Sequence, residues 1–258
     1  MLDEVNHHLF FSMPHRILSL EEVSEYLHMS EKALQALVRG GEIPHEKNGD
    51  RVSFRKVEID AWASHRLMES SETDIETFHK KSSAKQHDLS DSHSIMPEML
   101  HASGIIADLS CRTKPSTITA MVDLADKTGL LIHKEDLHKS IVDRENLGTT
   151  ALRGGVALLH PQHHDPYTFD DSFIVFGRNL QRIPFGSPDG KTTDLFFMIC
   201  CQDDSIHLHL LARLCMMCYH TRLLYELREA ETTDEIRELI LDAEAEVIKL
   251  RLEKKKKV

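Results

Sequence analysis

The chain has 258 residues, of which 41% are hydrophobic and 28% are charged, a composition that excludes an intrinsically disordered protein. Its longest apolar run, 195–201, is far shorter than the roughly 20 residues of a membrane-spanning helix, and the acidic N-terminus does not resemble a secretory signal. We therefore expect a cytoplasmic protein without a membrane segment. The net charge of −11 excludes general attraction to nucleic acid, so any DNA contact must come from a local basic patch.

The first predicted elements are two short helices separated by a tight break. Ser19 and Glu22 form a capping-box signature for a helix over 20–27. Ser30 can cap a second helix that ends near Arg39, where two glycines follow. Two short amphipathic helices with this spacing are typical of a helix-turn-helix.

A hairpin and a third helix complete this first block. The pair Asn48-Gly49 favours a two-residue turn, because both residues tolerate a positive φ. It lies between short segments at 43–45 and 52–54, which we predict to be strands. A helix over 56–63 follows.

A long polar segment divides the chain. From 69 to 94 the hydrophobic periodicity stops, and serine, histidine and charged residues dominate, as in a solvated linker. We therefore predict a first domain at 1–67, a linker at 68–94 and a second domain at 95–258.

The second domain alternates strand and helix patterns. Short apolar runs rich in β-branched and aromatic residues predict strands, and amphipathic segments with capping residues predict helices. The predicted strands are 104–107, 156–159, 172–176 and 194–201, and the predicted helices are 114–128, 134–145, 207–219 and 234–252. This interleaving indicates an α/β fold.

Two of the 18 histidines stand at positions suited to chemistry. His160 follows the strand 156–159, at the sheet edge where open α/β folds place their ligands. His207 lies in the first turn of a predicted helix, beside N–H groups that attract anions. We expect His207 to face inward and His209 to pair with Arg213 and face water. From this pattern alone, a histidine at the end of a strand more often has a structural role than a catalytic one, so a structural role for His160 is the alternative.

The segments around these histidines resemble enzyme IIA domains of the bacterial phosphotransferase system, of the fructose/mannitol and nitrogen-regulatory class. The resemblance covers 95–252 and implies a mixed sheet flanked by helices. It is carried, in matching order and spacing, by RENLGTT (144–150), GGVALLH (154–160), FG (185–186), DGK (189–191) and HLHLLARL (207–214).

This resemblance implies roles for three residues. His160 matches the histidine that accepts a phosphoryl group from a phosphohistidine carrier protein of the HPr or NPr kind, His207 matches the second histidine beside it, and Arg144 matches the active-site arginine. Neutral imidazole is a nucleophile, and phosphoryl transfer needs positioned positive charge, so no metal or nucleotide cofactor is implied. Leu159 and Pro161 stand where the family usually has proline and glycine.

The first block resembles excisionase-type or MerR-like winged helix-turn-helix domains across 18–62, in which the second helix enters the major groove and the hairpin approaches the backbone. The residues expected to contact DNA are Lys32, Gln35 and Arg39 on that helix and Arg51 and Arg55 on the wing. Docking to another protein is the alternative for this domain.

Together the two resemblances imply a regulatory phosphocarrier that binds DNA, with homo-oligomerisation left open. One alternative is a transcription regulator whose IIA-like domain is an inert sensor; another is a IIA component that serves a separate sugar permease. The phosphoryl relay requires His160 to be reachable from solvent and close to Arg144 and His207, and we expect both.

Two further motifs could bind metal but have simpler explanations. Cys215 and Cys218 have C-x-x-C spacing, yet they lie on an amphipathic helix with no second such pair, so we expect reduced core thiols rather than a zinc site. For His163 and His164 we expect a solvated loop rather than a transition-metal site.

Overall fold

A computed structural model describes residues 17–27, 29–49, 51–69, 92–164 and 167–256. The first domain consists of β1 (Ile17–Leu18), α1 (Leu20–Tyr26), α2 (Glu31–Gly40), β2 (Glu46–Asn48), β3 (Arg51–Arg55) and α3 (Lys56–Glu69). Most of the predicted linker, 70–91, lies outside the described residues, and α3 continues past the predicted boundary at 67.

The predicted helix caps of the first domain are present. Ser19 Oγ accepts the N–H of Glu22 at 3.2 Å, and Glu22 Oε2 accepts the N–H of Ser19 at 2.8 Å. The hairpin prediction was wrong for its first strand, which lies at 46–48 rather than at 43–45, and for Asn48, which belongs to this strand rather than to the turn. Pairing begins directly beside the turn, with Asn48 opposite Arg51, so the residues nearest the turn form the strand.

The described part of the second domain contains a five-stranded mixed sheet. Its strands are β4 (Leu100–Leu109), β5 (Ala151–Leu152), β6 (Val156–Leu159), β7 (Phe173–Ile183) and β8 (Thr193–Cys200). The strand order is β4-β7-β8-β6-β5; the β4–β7 and β6–β8 pairs are parallel, and the β7–β8 and β5–β6 pairs are antiparallel. The predicted α/β fold is therefore confirmed.

Helices cover both faces of this sheet. They are α4 (Met96–Met99), α5 (Lys114–Asp126), α6 (Lys134–Leu147), α7 (Asp204–His220), α8 (Leu223–Glu229) and α9 (Thr233–Lys256). Along β8, Phe196 packs in the core on the side of α5 and α6, and Phe197 packs in the core on the side of α7 to α9. This alternation follows from the two-residue period of a strand, and it leaves the central strands buried on both faces.

A buried carboxylate joins the start of the second domain to its last helix. Glu244 of α9 accepts hydrogen bonds from Ser94 Oγ at 2.5 Å and from the N–H groups of Ile95 and Met96 at 3.0 and 2.9 Å. It also pairs with Arg213 of α7 at 3.2 Å. A fully buried charge is tolerated because every oxygen has partners.

The two domains are packed together. Helix α3 of the first domain lies against α7 of the second, and their apolar side chains belong to one continuous core. Tyr219 Oη donates a hydrogen bond to the carbonyl of Met68 at 3.2 Å. No helix in the described ranges is long and apolar enough to cross a membrane.

Candidate functional site

The buried strand β6 ends at Leu159 and places His160 at the edge of the sheet, as predicted. His160 Nδ1 lies 2.8 Å from the carbonyl oxygen of Leu158, and Arg144 Nε donates to His160 Nε2 at 2.9 Å. These two bonds define the tautomer: Nδ1 carries the proton, and Nε2 carries the lone pair. The nucleophilic nitrogen therefore faces the guanidinium.

Arg144 comes from the last turn of α6 and is 2% exposed. Its Nη1 donates to the carbonyl of Gly148 at 3.0 Å, which orients the guanidinium plane. Burial lowers the pKa of Arg144, although the neighbouring carboxylate of Glu145 opposes this shift. Nη2 has no hydrogen-bond partner among the described residues, so a donor beside His160 is free for an anion.

His207 lies beside His160, with the two ring centroids 4.7 Å apart. It faces inward as predicted, and neither of its ring nitrogens has a hydrogen-bond partner among the described residues. Burial lowers the pKa of both His160 and His207 well below the usual value, and the positive charge of Arg144 adds to this effect. Both imidazoles are therefore neutral at pH 7.

Helix α7 begins at Asp204, three residues before the predicted start at 207. Asp203 caps it: its Oδ1 accepts the N–H of Ile206 at 3.2 Å, and its carbonyl accepts the N–H of His207 at 3.0 Å. The backbone N–H of His207 is thus already used. A ligand could therefore bind to the ring of His207 but not to its backbone N–H.

A third imidazole, which sequence reasoning missed, completes the cluster. His164 has a side chain only 3% exposed; its Nδ1 lies 2.7 Å from Asp204 Oδ1, and its ring centroid lies 4.2 Å from that of His207. The prediction of a solvated loop was therefore wrong for His164, whereas His163 is exposed. The loop folds inward because Ser140 Oγ accepts the N–H of Gln162 at 2.9 Å.

The expectation that His160 is reachable from solvent was also wrong, since only 2% of the residue is exposed. Helix α3 of the first domain lies beside both segments that flank the site. Lys56 Nζ is 2.5 Å from Asp204 Oδ2 at the start of α7. At the turn after α6, a Cβ on Gly148 would lie 3.7 Å from His65 Cδ2.

The expected outward orientation of His209 was wrong as well. His209 is fully buried, and Arg213 forms its ion pair with Glu244 inside the core. Helix α7 packs against the sheet, α3 and α9, so it has no extended solvent face. The assumption of one buried and one solvent-exposed face predicts His207 correctly but fails for His209, because other elements cover this helix on several sides.

The residues expected to contact DNA are all exposed. Lys32, Gln35 and Arg39 lie on the outer side of α2, and Arg51 and Arg55 lie on β3. Arg55 is partly neutralised by Glu46, at 2.6 Å.

The cysteines lie apart from this chemistry. All are buried and unpaired, and burial raises the pKa of Cys218 to about 12. Within the described ranges, no three or more histidine, cysteine or acidic side chains are grouped so that they could hold a metal ion.

Both domains match known protein families. Residues 98–243 match the family "Phosphoenolpyruvate-dependent sugar phosphotransferase system, EIIA 2", and residues 17–66 match a helix-turn-helix domain family. The chain is 28% identical over 145 residues to the fructose-specific EIIABC component of Bacillus subtilis, covering 55% of this chain but only 22% of that protein. It is 25% identical over 139 residues to the nitrogen regulatory protein of Escherichia coli, covering 52% of this chain and 82% of that protein.

The fold has a solved counterpart. The nitrogen regulatory protein IIA-Ntr from Neisseria meningitidis superposes with a TM-score of 0.52 at 24% identity, over 57% of this chain and 99% of that one. This likeness shows the fold of the second domain. The EIIA 2 family model matches more than half of the residues of this chain. The chain therefore belongs to the EIIA 2 family of the sugar phosphotransferase system, and it also carries an N-terminal helix-turn-helix domain.

Proposed function

We propose that this protein is a regulatory phosphocarrier in which His160 Nε2 accepts a phosphoryl group from the phosphohistidine of a carrier protein of the HPr or NPr kind. The observation that carries the proposal is the geometry of His160, whose Nδ1 proton is held by the carbonyl of Leu158 while Nε2 faces Arg144. In the transfer, the N–P bond of the donor breaks and an N–P bond to Nε2 forms. The proton on Nδ1 stays in place.

The surrounding side chains suit the charge that this reaction brings. A transferred phosphoryl group spreads negative charge over its equatorial oxygens, and catalysis depends on donors positioned around them. Arg144 Nη2 and the ring nitrogens of His207 are buried polar atoms near the accepting nitrogen, and none of them has a hydrogen-bond partner in the described part of the chain. The oxygens of a bound phosphoryl group would accept hydrogen bonds from Arg144 Nη2 and from the protonated ring nitrogen of His207.

The test is phosphorylation of the full chain by a phosphorylated carrier protein. We expect an acid-labile label on the wild-type protein that is lost in His160→Ala and retained in His133→Ala, which removes an exposed histidine outside the site. A wild-type protein without label would favour the inert-sensor alternative. A label that persists in His160→Ala would move the acceptor to another residue.

For the first domain we propose DNA binding through α2 and the β2–β3 hairpin. Support comes from the exposure of Lys32, Gln35 and Arg39 on one helix and of Arg51 on the hairpin. Binding should weaken linearly with the logarithm of salt concentration, because phosphate contacts release counterions. Salt-independent binding to a protein partner would instead favour docking.

A further inference from the structure

We propose that helix α3 closes the phosphoryl-acceptor site, so that the first domain and a phosphocarrier compete for the same face of the second domain. This inference rests on the proposed function, since closure matters for transfer only if His160 accepts the group. It names the first domain as the regulator of access.

A chain of short contacts connects α3 to the acceptor. Lys56 Nζ lies 2.5 Å from Asp204 Oδ2, and Asp204 Oδ1 lies 2.7 Å from His164 Nδ1. The ring of His164 lies against His207, which in turn lies beside His160. We call Lys56, Asp204 and His164 the latch. It runs from the first domain to the imidazoles around the accepting nitrogen.

Lys56 is held firmly on the side of the first domain. Its Nζ also pairs with Asp60, one turn further along α3, at 2.9 Å, and lies 5.4 Å from the centroid of the Tyr26 ring. The lysine thus bridges a carboxylate of each domain. Because this cation is only partly exposed, its loss would leave two nearby carboxylates without their common partner.

Apolar contacts support the latch. Ile59 and Ala63 of α3 are buried in the same core as Leu208 and Leu211 of α7. At the opposite side of the site, His65 lies beside Gly148, whose carbonyl orients Arg144. Helix α3 therefore spans the site from the turn after α6 to the first turn of α7.

Transfer cannot take place in this closed arrangement. The donor imidazole must approach Nε2 of His160, and His160 is 2% exposed. On this proposal, helix α3 moves away before transfer. Once attached, the phosphoryl group adds about −1.5 to −2 charges beside the latch, where it would repel the carboxylate of Asp204. Phosphorylation and release of α3 are then linked, and each favours the other.

The closed form leaves the proposed DNA-binding face exposed. Lys32, Gln35 and Arg39 are exposed while α3 is docked. Docking therefore controls access to His160 without covering the recognition helix.

The first test uses a reagent that needs no phosphocarrier. Diethylpyrocarbonate modifies neutral imidazole, and peptide mass spectrometry follows its rate at His160. Lys56→Glu places three carboxylates together and should raise this rate about tenfold, equivalent to about 1.4 kcal/mol of lost docking free energy. Lys249→Glu makes the same charge change at an exposed position of α9 and should leave the rate unchanged.

The second test closes the site covalently. In the double variant His65→Cys/Gly148→Cys, a short cleavable thiol crosslinker should join α3 to the turn after α6. The φ of 162° at Gly148 is extended backbone that accepts a side chain, and the native cysteines are buried. Crosslinking should suppress phosphorylation at least about tenfold, and cleavage should restore it. His65→Cys alone, treated identically, should be unaffected.

The outcomes separate this inference from the proposed function. Faster modification of His160 in Lys56→Glu, without phosphorylation of any form, would support closure and overturn the phosphocarrier proposal. Phosphorylation that neither Lys56→Glu nor the crosslink alters would support the phosphocarrier and overturn closure. If circular dichroism shows that Lys56→Glu is unfolded, the reversible crosslink decides the question alone.

Discussion

The acceptor site and the recognition helix use charge in opposite ways. Around His160, the guanidinium of Arg144 and the imidazoles are buried, and several of their nitrogens have no hydrogen-bond partner within the described ranges. On α2, Lys32 and Arg39 lie in water. Desolvated groups interact strongly with an incoming anion but are costly to bury, whereas solvated groups act weakly and additively. Substitutions at the acceptor site should therefore have large effects on phosphorylation or stability, and substitutions on the recognition helix should have smaller effects on DNA affinity.

The largest effect is expected at Arg144. Arg144→Gln should reduce the rate of phosphorylation of His160 about 100-fold, because a preorganised donor at a developing charge is worth about 10²–10³ in rate. Arg112→Gln, an exposed arginine outside the site, serves as the control. Equal rates for Arg144→Gln and wild type would remove the arginine from the transfer step. Stability measured by urea unfolding distinguishes a kinetic effect from loss of the fold.

The buried imidazoles should make stability depend on pH. Folding lowers the pKa of His160 and His207 below the unfolded value of about 6.5, so both states are neutral above that pH. As the pH falls below it, the unfolded chain binds protons that the folded site excludes. The free energy of unfolding should then fall by about 1.4 kcal/mol per pH unit for each histidine.

Urea unfolding at pH 7.5, 6.5 and 5.5 measures this slope. His207→Gln should reduce the slope, because it removes one of the two titrating groups. A slope unchanged by that substitution would show that His207 is not held neutral.

On the recognition helix the effect should be smaller and confined to DNA. Arg39→Ala should weaken binding by about 1 kcal/mol and reduce the slope of log affinity against log salt by about 0.9, as expected for one lost phosphate contact. Stability should change by less than about 0.5 kcal/mol, because Arg39 is exposed. If the slope of log affinity against log salt is unchanged in Arg39→Ala, then Arg39 does not contact a DNA phosphate.

The smallest expected effect concerns the wing. Arg55 pairs with Glu46 at 2.6 Å, so part of its charge is neutralised. Glu46→Gln should strengthen DNA binding about two- to fivefold at low salt, since exposed pairs are worth about 0.2–1 kcal/mol. Glu21→Gln, on α1, provides a matched loss of one negative charge. Equal affinities of the two variants would exclude Arg55 from the interface.

Local patterns predicted those parts of the fold that depend on neighbouring residues. The capping box at Ser19 and the apolar strand before His160 can both be recognised within a few residues. The family resemblance then singled out Arg144 and His207, which the fold brings to His160 from α6 and α7.

The remainder depends on contacts between distant segments. His164 and Asp204 are 40 positions apart, and Lys56 reaches Asp204 from another domain. No local periodicity encodes such pairs. The burial of His209 was missed for a related reason, since a helical pattern shows which face is apolar but not how many elements cover the helix.

The carboxylate of Glu244 has a mechanical consequence. It holds the chain at Ser94, Ile95 and Met96, where α4 begins and leads into the first strand of the sheet. Because the same carboxylate pairs with Arg213, the chain enters the second domain at a point anchored to α9 and α7, which pack together on one face of the sheet. The second domain therefore starts from a point that is fixed within its own core.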